Sequence, residues 1–336
     1  MKSVSIVIPC RNEEKYIGRC IESILFQDYP QEKISVFVCD GKSSDETINI
    51  IKDYSIKHRN INLLINEKKT TPFALNIGIN ASNSDIVIIL GAHSELYPNY
   101  VSSCIEAFGF GENIGCTGGV IENVYENETS EVIGKAMSSS FGVGNAHFRT
   151  GNKDGFVDTV AFGAYKREVF EKIGLFDEEL IRNQDDEFNY RLLRNGFTIY
   201  LFQKIRSKYY VRASFEKLFN QYKQYGYWKV YVNKKHKAIT TFRQVIPLFF
   251  VLFLFIGLAL SFLHPLFILL YVLTISIYIV ASSIFAVAKS TELTHPIKIV
   301  YSFFILHFSY GWGYLEGIID FFVLNKKIKK EESLTR

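Results

Sequence analysis

The feature that most restricts how this chain can fold is a pair of apolar runs near its C-terminus. Residues 245–263 and 265–288 are almost uninterrupted in their apolar character, with only His264 between them. Each is long enough to cross a hydrocarbon core of about 30 Å as a helix. In lipid only a helix or a closed barrel satisfies its own backbone, so the two runs form a helical hairpin. A third stretch, 297–324, is apolar but carries Lys298, His307, Glu316, Asp320 and several glycines. It either spans or lies in the interface. Basic residues crowd both flanks: Lys229, Lys234, Lys235, Lys237 and Arg243 before the first run, and Lys326, Lys327, Lys329 and Lys330 after the last. Such clusters mark the cytoplasmic side. A third full span would export the basic tail, so a re-entrant or interfacial segment with an inside C-terminus is expected.

The first two thirds have the composition of a soluble domain. Of the 336 residues, 48% are hydrophobic, and the excess sits in the last third. A net charge of +4 is too small to argue for nucleic acid. The five cysteines (Cys10, Cys20, Cys39, Cys104, Cys116) are odd in number and form no CxxC pair. They read as reduced core residues. The apolar run at 4–8 is too short for a signal peptide and stops at Pro9, so it reads as a first strand.

Strands and helices then alternate. Strands are expected at 3–8, 34–39, 61–65 and 86–90, with helices at 15–26, from a Ser43/Glu46 capping box toward Tyr54, and from a Thr71-Pro72 start to 81. That order means a mostly parallel sheet with helices on both faces, and ligands bind beyond the carboxyl ends of its strands. Those ends carry Pro9 to Glu13, Asp40 and the turn Gly91-Ala92-His93-Ser94-Glu95. Further on, strands are expected at 115–120, 158–162 and 198–202, and a helix at 165–173. The glycine-containing 138–155 reads as a mobile loop that closes over a substrate. Residues 214–232 have helical spacing with aromatic and basic side chains, which suits either a headgroup region or a packed core.

The acidic run Gln184-Asp185-Asp186-Glu187 opens a helix with Phe188, Leu192 and Leu193 on one face. Acids at a helix start are favoured by its dipole alone. In the sharper reading, one of them is a general base fixed at the mouth of a cleft. Several chemistries lack their motif. There is no G-x-x-x-x-G-K-[ST] and no G-x-G-x-x-G after the first strand, and no P-C-x-x-C follows His93-Ser94-Glu95.

Taken together, Val4-Ser5-Ile6-Val7-Ile8-Pro9-Cys10-Arg11-Asn12-Glu13, Asp40-Gly41-Lys42-Ser43-Ser44-Asp45-Glu46-Thr47, Ala74-Leu75-Asn76-Ile77-Gly78 and Gln184-Asp185-Asp186-Glu187 resemble glycosyltransferase family 2. The likeness extends over about residues 3–232. It is strongest to the membrane-anchored glucosyltransferases of succinoglycan-type exopolysaccharide assembly. The resemblance implies an α/β GT-A fold, Rossmann-like and nucleotide-sugar-binding, followed by transmembrane helices. It also implies a UDP-sugar donor, a divalent metal (Mn²⁺ or Mg²⁺) and inversion at the anomeric carbon. It makes Asp185 the catalytic base and puts Pro9, Asn12, Glu13, Asp40, Asn76 and Ala92 on the donor side. It puts Asp186, Glu187, Arg191, Gln221 and Trp228 on the acceptor side. The family's Asp-x-Asp metal turn is Gly91-Ala92-His93 here, which makes His93 the candidate metal ligand. The other role open to His93 is a hydrogen bond to the turn or the diphosphate. The usual Glu before the base is Gln184.

The expected organisation is a GT-A domain at 1–212, an interfacial helix and basic linker at 213–240, a membrane domain at 241–325 and a basic tail at 326–336. The expected function is hexose transfer, glucose first, from a UDP-sugar to a polyprenyl-diphosphate-linked saccharide. It would take place on the cytoplasmic face of the cell membrane, among membrane lipid and without nucleic acid. The alternatives are direct charging of polyprenyl phosphate and an inactive, nucleotide-sugar-binding assembly subunit.

Overall fold

The computed structural model describes residues 1–151, 153–291, 295–326 and 328. Most of the basic tail at 326–336 lies outside them. The chain divides into two compact units, one of Met1–Asn123 with His147–Tyr210, the other of Val124–Ala146 with the residues from Val211 onward.

The first unit is built on a nine-stranded mixed sheet. Its elements begin β1 (Val4–Cys10), α1 (Ile17–Leu25), β2 (Ile34–Asp40), α2 (Thr47–Lys57), β3 (Ile61–Ile65), α3 (Thr71–Ala81), β4 (Ile86–Ile89), β5 (Ser94–Leu96) and α4 (Tyr100–Ala107). After β6 (Ile114–Val124) the chain forms α5 (Glu128–Met137) and α6 (Ser140–Val143) in the second unit. It returns through α7 (His147–Thr150), β7 (Gly155–Val157), β8 (Ala161–Lys166), α8 (Arg167–Ile173), α9 (Gln184–Arg194) and β9 (Thr198–Tyr210).

The strand order is β3-β2-β1-β4-β8-β6-β9-β5, with β7 on β9. The first four strands are parallel, as the alternation with helices requires, and β8 meets β4 antiparallel. Period-two alternation sorts the side chains between the two faces. Val4, Ile6 and Ile8 join α1, α2 and α4 in one core, and Val7, Cys39 and Val87 join α3, α8 and α9 in the other. All five cysteines are buried and unpaired with one another. Burial pushes the thiols of Cys20 and Cys39 up to about 12, so they are unreactive fillers of these cores.

Several local expectations are corrected. The Ser43/Glu46 capping box does not form: α2 starts at Thr47 without a side-chain cap, and the Ser43 hydroxyl turns back to Asp40. Residues 158–162 and 165–173 shift, because Tyr165 is a strand residue paired with Val87 and only Arg167 onward is helical. Residues 138–155 contain α6, α7 and the start of β7 rather than loop alone.

The second unit contains α10 (Phe215–His236), α11 (Ile246–Leu252), α12 (Leu258–Ser261), α13 (Pro265–Lys289) and α14 (Pro296–Ile318). A π-helical stretch, Phe253–Gly257, joins α11 to α12. Among the described residues two helical segments, Phe242–Ser261 and Pro265–Lys289, are long and apolar enough to cross a membrane; only 17% and 6% of their most apolar windows are buried. The third apolar stretch behaves differently. α14 is buried along Ile299, Phe303, Leu306, Tyr310 and Tyr314. Its polar groups find partners inside the unit: Lys298 with Glu128, His307 with the Phe141 carbonyl and the Tyr278 hydroxyl, and Glu316 with Lys223. Asp320, in the π-helical stretch Ile319–Val323 that continues it, accepts from the Tyr227 hydroxyl. α10 packs along α14, and glycines set the approach. A Cβ on Gly226 would sit 2.0 Å from the Tyr310 carbonyl oxygen, and one on Gly313 1.9 Å from that of Lys223.

Candidate active site

The carboxyl ends of β1, β2 and β4 form one edge of the parallel half of the sheet. There Asn12 takes a left-handed backbone (φ 53°), a conformation asparagine tolerates better than most residues. Its N–H donates to the Ser43 hydroxyl (2.8 Å), and its side-chain oxygen accepts from the Ser44 N–H (2.9 Å). The Glu13 N–H donates to the Thr47 hydroxyl at 2.7 Å. These bonds tie the end of β1 to the turn after β2. Asp40 is fully buried and accepts from the Ser43 N–H at 2.9 Å as well as from its hydroxyl. Its carboxylate therefore shapes this turn. Pro9 lies opposite Cys39 in register, one residue short of the edge.

The turn after β4 brings His93 to Glu13, with imidazole Nδ1 3.4 Å from a carboxylate oxygen. Glu13 is 3% exposed and the His93 side chain 31%. His93 also stands edge-on to the ring of Tyr209 in β9, at 5.4 Å. Ala92 is buried. Gly91 is packed under the Phe162 ring, where an added Cβ would sit 3.1 Å from the nearest ring carbon. Phe162 itself holds a left-handed backbone (φ 48°), strained for an aromatic residue, and its carbonyl accepts from the buried Tyr100 hydroxyl at 2.6 Å. A Cβ at residue 91 would therefore crowd the Phe162 ring, which would have to give by a few tenths of an ångström. Among the described residues no group of three or more His, Cys, Asp or Glu side chains forms a metal-binding cluster. His93 and Glu13 stand together as a pair.

α9 carries the acidic run. Asn183, left-handed at φ 59°, starts it, and Asp185 is exposed in the first turn. Asp185 Oδ1 accepts from the Asp186 N–H at 2.9 Å. The helix is anchored by Phe188, fully buried and stacked on Phe176 at 4.4 Å. Beneath it the Tyr165 hydroxyl donates to Asn189 at 3.0 Å. Burial pushes the Tyr165 phenol well above its ordinary value.

Several candidates have other work. Glu187 is 1% exposed and pairs with Arg191 through two contacts, at 2.7 and 2.9 Å. Arg191 also donates to the carbonyls of Ile173 and Leu175. This pair fastens α9 to the end of α8, with Glu187 buried beneath it. Asn76 is likewise engaged. Its amide donates to the Phe176 carbonyl and to Glu178, and its oxygen accepts from the Phe176 N–H. Gln221 and Trp228 belong to the second unit. Gln221 donates to the Tyr225 hydroxyl at 2.8 Å, and Trp228, 6% exposed, packs with Tyr227, Tyr231 and Phe321. The sequence reading missed Tyr209, which has no motif of its own and reaches His93 only through the pairing of β9 with β5.

The strand ends thus gather polar side chains at one edge of the sheet, and α9 holds an exposed carboxylate in its first turn. Comparison with known proteins identifies the family. Residues 5–174 match the profile of "Glycosyl transferase family 2". A Methanococcus voltae protein, dolichyl N-acetyl-alpha-D-glucosaminyl phosphate 3-beta-D-2,3-diacetamido-2,3-dideoxy-beta-D-glucuronosyltransferase, is 36% identical over 67% of this chain and 72% of its own length. Succinoglycan biosynthesis protein ExoA of Rhizobium meliloti is 29% identical over 72% of this chain and 74% of its own. The fold is similar to that of S. aureus TarS 1-349 in complex with UDP (TM-score 0.50, 18% identity, 68% of this chain and 65% of that one). It is also similar to the mannosyltransferase PcManGT from Pyrobaculum calidifontis in complex with GDP-Man and Mn²⁺ (TM-score 0.53, 16% identity, 70% and 64%). The sheet is thus of the GT-A type, and the chain belongs to glycosyl transferase family 2.

Proposed function

We propose that this enzyme is an inverting glycosyltransferase that moves a hexose, glucose first among them, from a UDP-sugar to a lipid-linked saccharide. The observation that carries the reading is Asp185. It is an exposed carboxylate on the first turn of a helix that Phe188 and the Glu187–Arg191 pair hold rigid. In the proposed step the acceptor hydroxyl oxygen attacks the anomeric carbon, and its proton passes to Asp185. The bond from that carbon to the diphosphate oxygen breaks with its electrons on the oxygen, and UDP leaves. A single in-line displacement inverts the anomeric centre.

Pro9, Asn12, Glu13, Ala92 and the turn shaped by Asp40 form the donor side. UDP in the TarS structure supports the nucleotide, and the dolichyl phosphate in the name of the Methanococcus relative supports a lipid-linked acceptor. A divalent ion fits the site modestly. His93, a third exposed, would hold it through the ring nitrogen turned away from Glu13, and Glu13 would orient the imidazole. Diphosphate and water oxygens would complete the shell. When bound, the ion would offset charge on the departing diphosphate. One imidazole among oxygens favours Mn²⁺ over Mg²⁺.

The two apolar helices would hold the enzyme in the cell membrane. The basic residues before the first of them put the first unit on the cytoplasmic side. Accessibility of that unit to protease in inverted but not in intact vesicles tests this orientation.

The deciding assay is UDP release by the full-length protein with a donor panel and an acceptor lipid extract. Asp185→Asn should lower the rate by about 100- to 10,000-fold with UDP affinity kept. Half the wild-type rate in that variant would move the base to Asp186. Bare polyprenyl phosphate as the sole working acceptor would favour direct charging of the lipid carrier.

A further inference from the structure

α7 carries Arg149, whose guanidinium carbon lies 5.3 Å from the centre of the Phe148 ring and 5.5 Å from that of Tyr209. These rings fix the side chain by cation–π contact. Its Nη1 is buried and has no hydrogen-bond partner among the described residues, nor does a described carboxylate pair with it. An unpaired buried N–H on a charged group is costly, and native folds rarely keep one without use. A planar guanidinium held in place with N–H groups to give is a receptor for phosphate or carboxylate oxygens.

Tyr209 ties Arg149 to the turn after β4. The same ring holds Arg149 and, edge-on at 5.4 Å, His93. His93 stands in the turn after β4, at the sheet edge where ligands bind in open α/β folds. The turn Gly91-Ala92-His93 offers no carboxylate of its own with which to gather cations. We propose that Arg149 binds the diphosphate of the nucleotide-sugar donor and takes up the charge that builds on it as UDP leaves. The proposal rests on the donor reading given above. It gives the site a fixed positive charge that does not depend on metal loading.

The test is calorimetric binding of UDP and of uridine to the full-length protein in detergent, for wild type, Arg149→Gln and Arg149→Lys. Uridine has no phosphate, so it reports the nucleoside pocket and the fold. Arg149→Gln should weaken UDP about 10- to 100-fold, the range for a hydrogen bond to a charged group, and leave uridine within about twofold. Arg149→Lys keeps the charge without the fork and should fall between. Unchanged UDP affinity in Arg149→Gln would overturn the proposal, as would equal losses for UDP and uridine. If another nucleoside diphosphate binds better than UDP, the choice of base was wrong, and the same comparison with that diphosphate still decides Arg149. If the wild type binds none, the donor reading fails and this proposal with it.

Discussion

At the scale of single residues, the cation role proposed for the turn after β4 rests on its residue 93. At residue 91 a side chain would start 3.1 Å from the Phe162 ring. Residue 93 is open, 31% exposed and beside Glu13. An aspartate placed there would convert a nitrogen ligand to oxygen, which Mg²⁺ prefers. His93→Asp should therefore raise the ratio of Mg²⁺- to Mn²⁺-supported UDP release severalfold. His93→Ala should weaken Mn²⁺ about 10-fold in the presence of UDP, within the range seen when a metal site loses a supporting group. Mn²⁺ titration of that variant with UDP present checks the role, and an unchanged affinity rules it out. The contrast with Glu187 is instructive. Three acids stand side by side in the sequence, yet one is exposed and one is spent on Arg191. Adjacent residues on a helix point about 100° apart, so chemistry does not pass along the run.

At the scale of elements, the seam between α10 and α14 is set by glycines whose missing side chains let backbones touch. A side chain at Gly313 meets the Lys223 carbonyl oxygen at 1.9 Å, and backbone yields less readily than a side chain. Gly313→Val should cost about 1–3 kcal/mol or more. Both tryptophans of the chain, Trp228 and Trp312, lie in this unit. Their fluorescence on heating therefore reports it alone, and UDP binding reports the other unit. The variant should lower the fluorescence midpoint with UDP affinity little changed. These close approaches also mark the limit of what the sequence could say. β1, β2 and β3 announce themselves by β-branched runs and fall within a residue or two of their expected ends. Gly142 misled, because glycine signals freedom in one setting and tight packing in another. Here a Cβ would lie 2.2 Å from the Ala136 carbonyl oxygen, so the glycine serves contact and the loop contains helices. The length of β9 was legible in principle. Ile205 and Ser207 are buried between Lys204, Arg206 and Lys208, whose cations pair with Glu106, Glu122 and Glu95. Arg149 was not legible, since its significance comes from rings brought to it by β9 and by its own neighbour.

At the scale of the whole molecule, the parallel strands β1 to β4 come from one continuous stretch, residues 4–89, while the second unit is discontinuous. α5 and α6 leave the sheet after β6 and pack chiefly against α14, more than 150 positions later. Lys298 pairs with Glu128, and Phe141 packs against Phe303 and His307. The apolar helices are therefore not an appendage that follows a finished domain.

That discontinuity bears on biosynthesis and on any attempt to simplify the enzyme. While the chain is being made, α5, with Val132, Ile133, Ala136 and Met137 at its buried positions, emerges long before the α14 it packs against. For that interval the nascent protein shows a greasy helix to chaperones and proteases, and only insertion of the last helices ends the exposure. A gene truncated before residue 242, the usual route to a soluble catalytic fragment, would make the exposure permanent. Such a fragment should partition into the pellet or be degraded, whereas the full-length chain extracted in detergent should stay monodisperse on size-exclusion chromatography. A soluble, UDP-binding fragment of residues 1–241 would show that α5 finds cover elsewhere.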